Sequence, residues 1–207
     1  MDFMDSQLHW DNVYRTNPFD QVSWFRPHLE TSLALIERAS DNSAARIIDI
    51  GGGASTLADD LMGKGYGNLT VLDISQTAID VARARLNAAA GKVKWLAANV
   101  IHAELPETGF DIWHDRAVFH FLTDSQDRAA YIQKIKTSVR IGGHVVIGTF
   151  GPEGPGKCSG LNVRRYDAQA LDREFGEHFR LIDSREEVHR TPFHTDQQFV
   201  YCLFAVE

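Results

Sequence analysis

From residue 45 onward the chain alternates between short apolar runs and longer amphipathic stretches. The runs are ARIIDI (45–50), NLTVLDI (68–74), KVKWLAANV (92–100), FDIWHD (110–115) and HVVIGTF (144–150). Each is apolar on both of the faces that a strand presents, the pattern of strands buried inside a parallel sheet. Between them the apolar residues recur at helical spacing. Leu57 and Leu61 lie one turn apart behind Ser55 and Thr56, which can cap. Ile79, Ala82 and Leu86 share a face behind Ser75. Ala129, Ile132, Ile135 and Val139 share one behind Asp124, and Gly142 and Gly143 are expected to stop that helix. Ahead of the first strand, residues 27–40 predict a helix with Leu29, Leu33 and Ile36 aligned and Pro27 near its start.

The tail is patterned differently. Residues 166–176 predict a helix, and 179–190 and 197–207 predict two strands joined by TPFHTD, short enough for an antiparallel pair. The glycine- and proline-rich GPEGPGKCSG (151–160) reads as a lid or a mobile connector. The expected fold class is α/β: a doubly wound, mostly parallel seven-stranded sheet with a C-terminal antiparallel hairpin, because strand–helix–strand crossovers are right-handed. One domain is expected over 1–207. It comprises a helical cover (1–44), a cofactor-binding core (45–150) and a closing part (151–207) of lid loop, helix and hairpin.

Composition narrows the partners. At 207 residues, 43% hydrophobic and 24% charged, this is an ordinary globular chain. Its formal net charge of −7 argues against nucleic acid or an anionic membrane as main partner. The acidic start MDFMDSQLHW is not expected to act as a secretory signal, and no run reaches the roughly 20 apolar residues of a membrane span. Cys158 and Cys202 cannot make a disulfide framework, so reduced thiols and a cytoplasmic location are expected.

The chemistry concentrates around IIDIGGGAST (47–56). Gly51, Gly52 and Gly53 let the backbone turn sharply after a strand and let a ligand approach it closely. No Gly-Lys-Ser/Thr follows, so this is not a phosphate loop, and Thr56 breaks the dinucleotide pattern Gly-x-Gly-x-x-Gly. Asp49-x-Gly51-x-Gly53 instead resembles the first motif of the class I S-adenosylmethionine-dependent methyltransferases, acid-x-Gly-x-Gly-x-Gly, with Ser55 at the last glycine. The resemblance implies that the loop packs beside the amino-acid part of S-adenosyl-L-methionine and that Asp49 helps hold its ammonium. Asp73 ends the second strand about 20 residues past the glycines, where a carboxylate accepts bonds from both ribose hydroxyls. Ile74 would lie against the adenine. Asn99 and Val100 end the third strand, with Asn99 where the family often has an acid that meets the adenine amino group. Loop, second-strand acid, third-strand end and FDIWHDRAVFHFL together cover residues 45–150 in order.

Methyl transfer from a sulfonium needs alignment, exclusion of water and, for some acceptors, a base. IWHDRAVFHFL (112–122) is where the family usually places substrate-facing residues. Asp115 is expected to face the cofactor, Arg116 to bind an anionic acceptor and His120 to act as general base, with packing between Phe119 and Phe121 as its alternative. The aromatic stretch HWDNVYRTNPFDQVSWF (9–25) puts Tyr14, Trp24 and Phe25 in reach of the cationic sulfur, with Trp10 as cover. It loosely resembles openings of thiopurine-type and some lysine methyltransferases. Cys158 is expected to be a free thiol in the lid. No metal site is expected, and Arg164, Arg165 and Tyr166 belong to an anion site or a solvated face. The function expected is methyl transfer to a small molecule. The alternatives are a protein lysine methyltransferase and, in other classes, an NAD(P)-dependent oxidoreductase or a non-catalytic cofactor-binding module. The absence of an Asn/Asp-Pro-Pro-Tyr/Phe signature, replaced by DRAVF, lowers the odds of exocyclic-amine chemistry.

Overall fold

The computed structural model describes residues 3–207. A seven-stranded sheet runs through the centre in the order β3-β2-β1-β4-β5-β9-β8. Its parallel half comprises β1 (Arg46–Ile50), β2 (Asn68–Asp73), β3 (Val93–Ala97), β4 (Phe110–Arg116) and β5 (Val139–Phe150). β8 (Phe179–Arg190) and β9 (Asp196–Val206) form the hairpin, β9 antiparallel to β5. A two-residue-strand flap, β6 (Lys157–Cys158) and β7 (Leu161–Asn162), stands apart. Ser159 and Gly160 both have positive φ, as a tight hairpin turn demands.

The helices are α1 (Phe3–Thr16), α2 (Glu30–Ala39), α3 (Leu57–Gly63), α4 (Gln76–Leu86), α5 (Ser125–Ser138) and α6 (Ala168–Phe175). Ser75 caps α4 by accepting from the Ala78 N–H, and Asp124 and Asp167 cap α5 and α6 in the same way. Thr56 makes no side-chain cap on α3; the Ser55 hydroxyl accepts from Leu57 N–H instead. The expected stop at Gly142–Gly143 falls too late. α5 ends at Ser138, and Val139 already pairs with Phe110, so β5 starts five residues before the apolar run that marked it. Sheet pairing overrides helical spacing there, since an extended Val139 satisfies its backbone in the ladder.

Alternation along the strands divides the core in two. Ile48, Ile50 and Trp113 pack with Tyr131 and Ile135 of α5 and Leu171 and Phe175 of α6. Ile47 and Ile112 pack with Leu35 and Ile36 of α2 and Leu57 and Leu61 of α3. Strand order reverses between β1 and β4, since β2 and β3 extend one way and β4 and β5 the other. In open α/β sheets that switch point, at the carboxyl ends of the strands, is where a ligand binds.

Candidate active site

A cavity of about 640 Å³ opens at that switch point. Asp73 at the end of β2 with Ile74 behind it, Asn99 and Val100 after β3, and Gly51 after β1 form one wall. Trp10 and Tyr14 of α1 and Trp24 form the aromatic wall, joined by Phe121, Phe150 and Phe199. The flap contributes Lys157, Cys158 and Leu161. A pocket of about 40 Å³ lies on the Asp49 side, lined by Gly51, Gly52, Ser55, His114 and Arg116. Tyr14, Trp24, Gly51 and Arg116 line both spaces.

The glycine turn is built for its neighbours. Gly51 has φ +68°, and its N–H donates to Leu72 C=O at 2.7 Å, carrying the β1–β2 ladder into the turn. A Cβ on Gly52 would collide with Asp49 Oδ2. Gly53 does not line the cavity wall; its N–H donates to Asp73 Oδ2 at 2.9 Å. Ser75 N–H donates to Asp73 Oδ1 at 2.8 Å. Burial still pushes the Asp73 carboxyl up to about 6, against these two N–H donors and helped by the nearby Asp49 and Asp11 carboxylates. Asn99 Oδ1 accepts from Ile101 N–H at 2.9 Å, which fixes the turn after β3.

Asp49 Oδ1 is hydrogen-bonded to His114 Nδ1 at 2.7 Å, and Asp49 Oδ2 has no partner among the described residues. Arg116 is clamped: Nε donates to Tyr201 OH at 2.9 Å, Nη1 donates to Trp24 C=O at 3.0 Å, and the guanidinium lies 4.5 Å from the Phe199 ring centroid. Its Nη2 is buried without a partner among the described residues. The roof interlocks edge to face, with Trp10 5.7 Å from Trp24 and 5.2 Å from Phe121, and Trp24 Nε1 donates to Tyr14 OH at 3.2 Å. Phe25 lines the small pocket rather than the main cavity.

Two residues expected at the reacting centre lie elsewhere. Asp115 is one position out of step with His114 and Arg116, so it points to the α5 face. There it accepts from Val118 N–H (2.8 Å), Phe119 N–H (3.0 Å) and Tyr131 OH (2.5 Å), and burial raises its carboxyl to about 6. It ties down the turn after β4 instead of facing the cofactor. His120 is fully buried and absent from the cavity wall, with its Nδ1 accepting from Phe150 N–H at 3.3 Å. Its ring lies 4.5 Å from that of Phe121 and 4.7 Å from that of Phe150. Burial and then the nearby Arg116 charge lower it to about 3, a poor base near neutrality. Cys158 is buried on the flap with its thiol pushed up to about 12 by burial, so it is held as thiol rather than thiolate. Arg164 pairs with Glu174 at 3.2 Å and lies over the Tyr166 ring, and Arg165 donates to Gly154 C=O. No cluster able to hold a metal ion occurs among the described residues. No helix among them is long and apolar enough to cross a membrane.

Sequence reasoning missed Asp11, Ser32 and His114. Asp11 of α1 accepts from Ser75 Oγ (2.7 Å) and Thr77 N–H (3.1 Å), fastening the cover beside Asp73. A histidine inside the apolar FDIWHD run is the one trace in the sequence of the Asp49–His114 contact. Asp11 and Ser32 left none.

These features define a doubly wound α/β protein with an aromatic-walled cavity and a buried carboxylate at its switch point. Residues 47–143 match the family described as methyltransferase domain. Over that segment, just under half of the chain, it is similar to methyltransferase domains, and S-adenosyl-L-methionine is the cofactor that this similarity implies. No curated protein sequence matches it. Solved structures share the fold. A methyltransferase from Anabaena variabilis is 14% identical, with TM-score 0.76 over 100% of this chain and 96% of that one. The Burkholderia thailandensis 1,6-didemethyltoxoflavin-N1-methyltransferase, with 1,6-didemethyltoxoflavin and S-adenosylhomocysteine bound, is 19% identical, with TM-score 0.71 over 100% and 86%. A Haemonchus contortus phosphoethanolamine N-methyltransferase is 15% identical, with TM-score 0.71 over 99% and 59%. The residues present suit the cofactor: a carboxylate and an arginine with unpartnered atoms line the pocket beside the glycine turn, and a second carboxylate lines the main cavity.

Proposed function

We propose that this enzyme methylates a small-molecule acceptor in the aromatic-walled cavity. The observation that supports this reading is that α1, Trp24 and the flap line the same cavity as the strand ends, which gives a small acceptor an aromatic wall to pack against. Asp73 would hold the ribose hydroxyls, and Ile74, Asn99 and Val100 would flank the adenine. Asp49 and Arg116 line the small pocket, and their Oδ2 and Nη2 are buried without a partner among the described residues, which suits the ammonium and carboxylate of an amino-acid tail. Arg116 also borders the main cavity, so an anionic acceptor is its competing partner. The cofactor supplies an electrophilic methyl on sulfur. The chain's own part is to orient the acceptor, exclude water under the aromatic roof and surround the positive sulfur with the faces of Tyr14 and Trp24. His120 and Asp115 are turned away, so a base for an acceptor that must lose a proton would have to come from the other titratable residues that border the cavity, His102, Asp124 and Asp127.

Calorimetry with S-adenosylhomocysteine, followed by a labelled-methyl assay on small-metabolite and protein fractions, tests the reading. The expected outcome is binding, with label entering the small-molecule fraction. Label confined to protein would replace the acceptor class by the lysine-methyltransferase alternative. A decarboxylated cofactor analogue separates the two roles of Arg116: Arg116→Met weakens the intact cofactor but not the analogue when Arg116 holds the carboxylate.

A further inference from the structure

Asp49 and His114 sit opposite each other in the parallel β1–β4 register. Both point to the face covered by α2, and Ser32 of that helix reaches the far side of the imidazole. His114 Nδ1 lies 2.7 Å from Asp49 Oδ1, and His114 Nε2 lies 2.9 Å from Ser32 Oγ. Exposure falls along the line, from 5% at Asp49 to 1% at His114 and 0% at Ser32. Ser32 borders neither cavity, so this serine–histidine–aspartate line has no route to an outside electrophile. It ends at Asp49, which lines the small pocket and whose Oδ2 is buried without a partner among the described residues. That oxygen takes the space a Gly52 side chain would need, so the middle glycine belongs to the same device.

We propose that Ser32 and His114 form a positioning chain that aims the free oxygen of Asp49 at the ammonium of the cofactor's amino-acid tail. The proposal rests on the methyltransferase reading above. The Ser32 hydroxyl donates to Nε2, which sets the tautomer with N–H on Nδ1, and that N–H donates to Asp49 Oδ1. A carboxylate held by one oxygen cannot turn its other oxygen away, and a ligand meeting a group already in place loses less freedom on binding. His114 and Ser32 therefore act through Asp49 and touch no ligand themselves.

The test compares S-adenosylhomocysteine with 5′-methylthioadenosine, which keeps the nucleoside and thioether but lacks the ammonium and carboxylate. Both are titrated calorimetrically into the full-length protein, with melting curves recorded for each variant. His114→Leu is expected to weaken S-adenosylhomocysteine about tenfold, the size of one hydrogen bond to a charged group, and to leave 5′-methylthioadenosine unchanged. His114→Asn, whose amide N–H stands near the position of Nδ1–H, is expected to restore most of the loss. Ser32→Ala gives a smaller loss in the same direction and carries the test where the leucine variant does not fold. Equal weakening of both ligands, or an asparagine variant no better than leucine, overturns the proposal. A wild-type protein that binds neither ligand overturns the methyltransferase reading instead.

Discussion

Burial raises the Asp73 carboxyl to about 6, although Ser75 and Gly53 N–H groups both donate to it. Its folded-state pKa lies above the ordinary aspartate value of about 3.9. Ionisation of Asp73 therefore costs stability as pH rises from about 4 to about 6 and stays charged against that cost above it. In the proposed ribose contact the carboxylate accepts on both oxygens with its full charge, whereas the acid form keeps a neutral, weaker acceptor, so ligand affinity follows ionisation. S-adenosylhomocysteine affinity is expected to be flat above about pH 7 and to fall by about tenfold in all as pH drops through about 6. Asp73→Asn should weaken binding about tenfold at about pH 8 and remove that step. Calorimetry across the range checks both, and an asparagine variant with the wild-type pH profile would take Asp73 out of the site. Asp73 was readable in the sequence because it closes a strand, and the carboxyl end of a strand in such a sheet faces the switch point. Asp115 looked equivalent and is not. Its neighbours His114 and Arg116 face α2 and the cavities, so strand alternation sends Asp115 to Tyr131 on the other face.

At the scale of elements, α1 is the part whose role rests on one buried contact. Asp11 accepts from Ser75 Oγ and Thr77 N–H at the start of α4, and the same helix carries Trp10 and Tyr14 into the roof. Burial alone would raise the Asp11 carboxyl, but the Ser75 and Thr77 donors and Arg15 outweigh it and hold it below the usual range. That contribution is present above the ordinary aspartate pKa and is lost as pH falls through the lowered one. Asp11→Ala leaves the Ser75 hydroxyl and Thr77 N–H without their acceptor, at a cost of about 1–3 kcal/mol. The expected result is faster proteolytic cleavage within α1 and weaker S-adenosylhomocysteine binding. Protection equal to wild type would mean that the aromatic contacts alone hold the cover. The flap is a similar case: the glycine and proline content of 151–160 announced a special loop, and only its position against Phe150 and Phe199 makes it a wall.

For the whole molecule, ligand and fold are linked because the site draws on α1, five strand ends or their turns, and the flap. A ligand that binds only the folded state stabilises it by about 2.7 kcal/mol at a concentration of about 100 times Kd. For a chain of this size that is a rise of about 5–10 °C in Tm with S-adenosylhomocysteine, read by calorimetric melting. No shift at that concentration would mean that the site does not form. The sequence by itself determined the alternating βα order, the closing hairpin, the bare turn and the acid after the second strand. Those are local matters of apolar spacing and backbone freedom. Tertiary structure decided which side chains meet. Parity and register put His114 against Asp49 and turned Asp115 away. Packing between Phe121 and Phe150 removed His120 from the wall, and helix docking brought Asp11 and Ser32 to their partners across 64 and 82 residues of chain. Contacts of that separation leave no periodicity to read, because they depend on how elements pack and not on what each residue prefers.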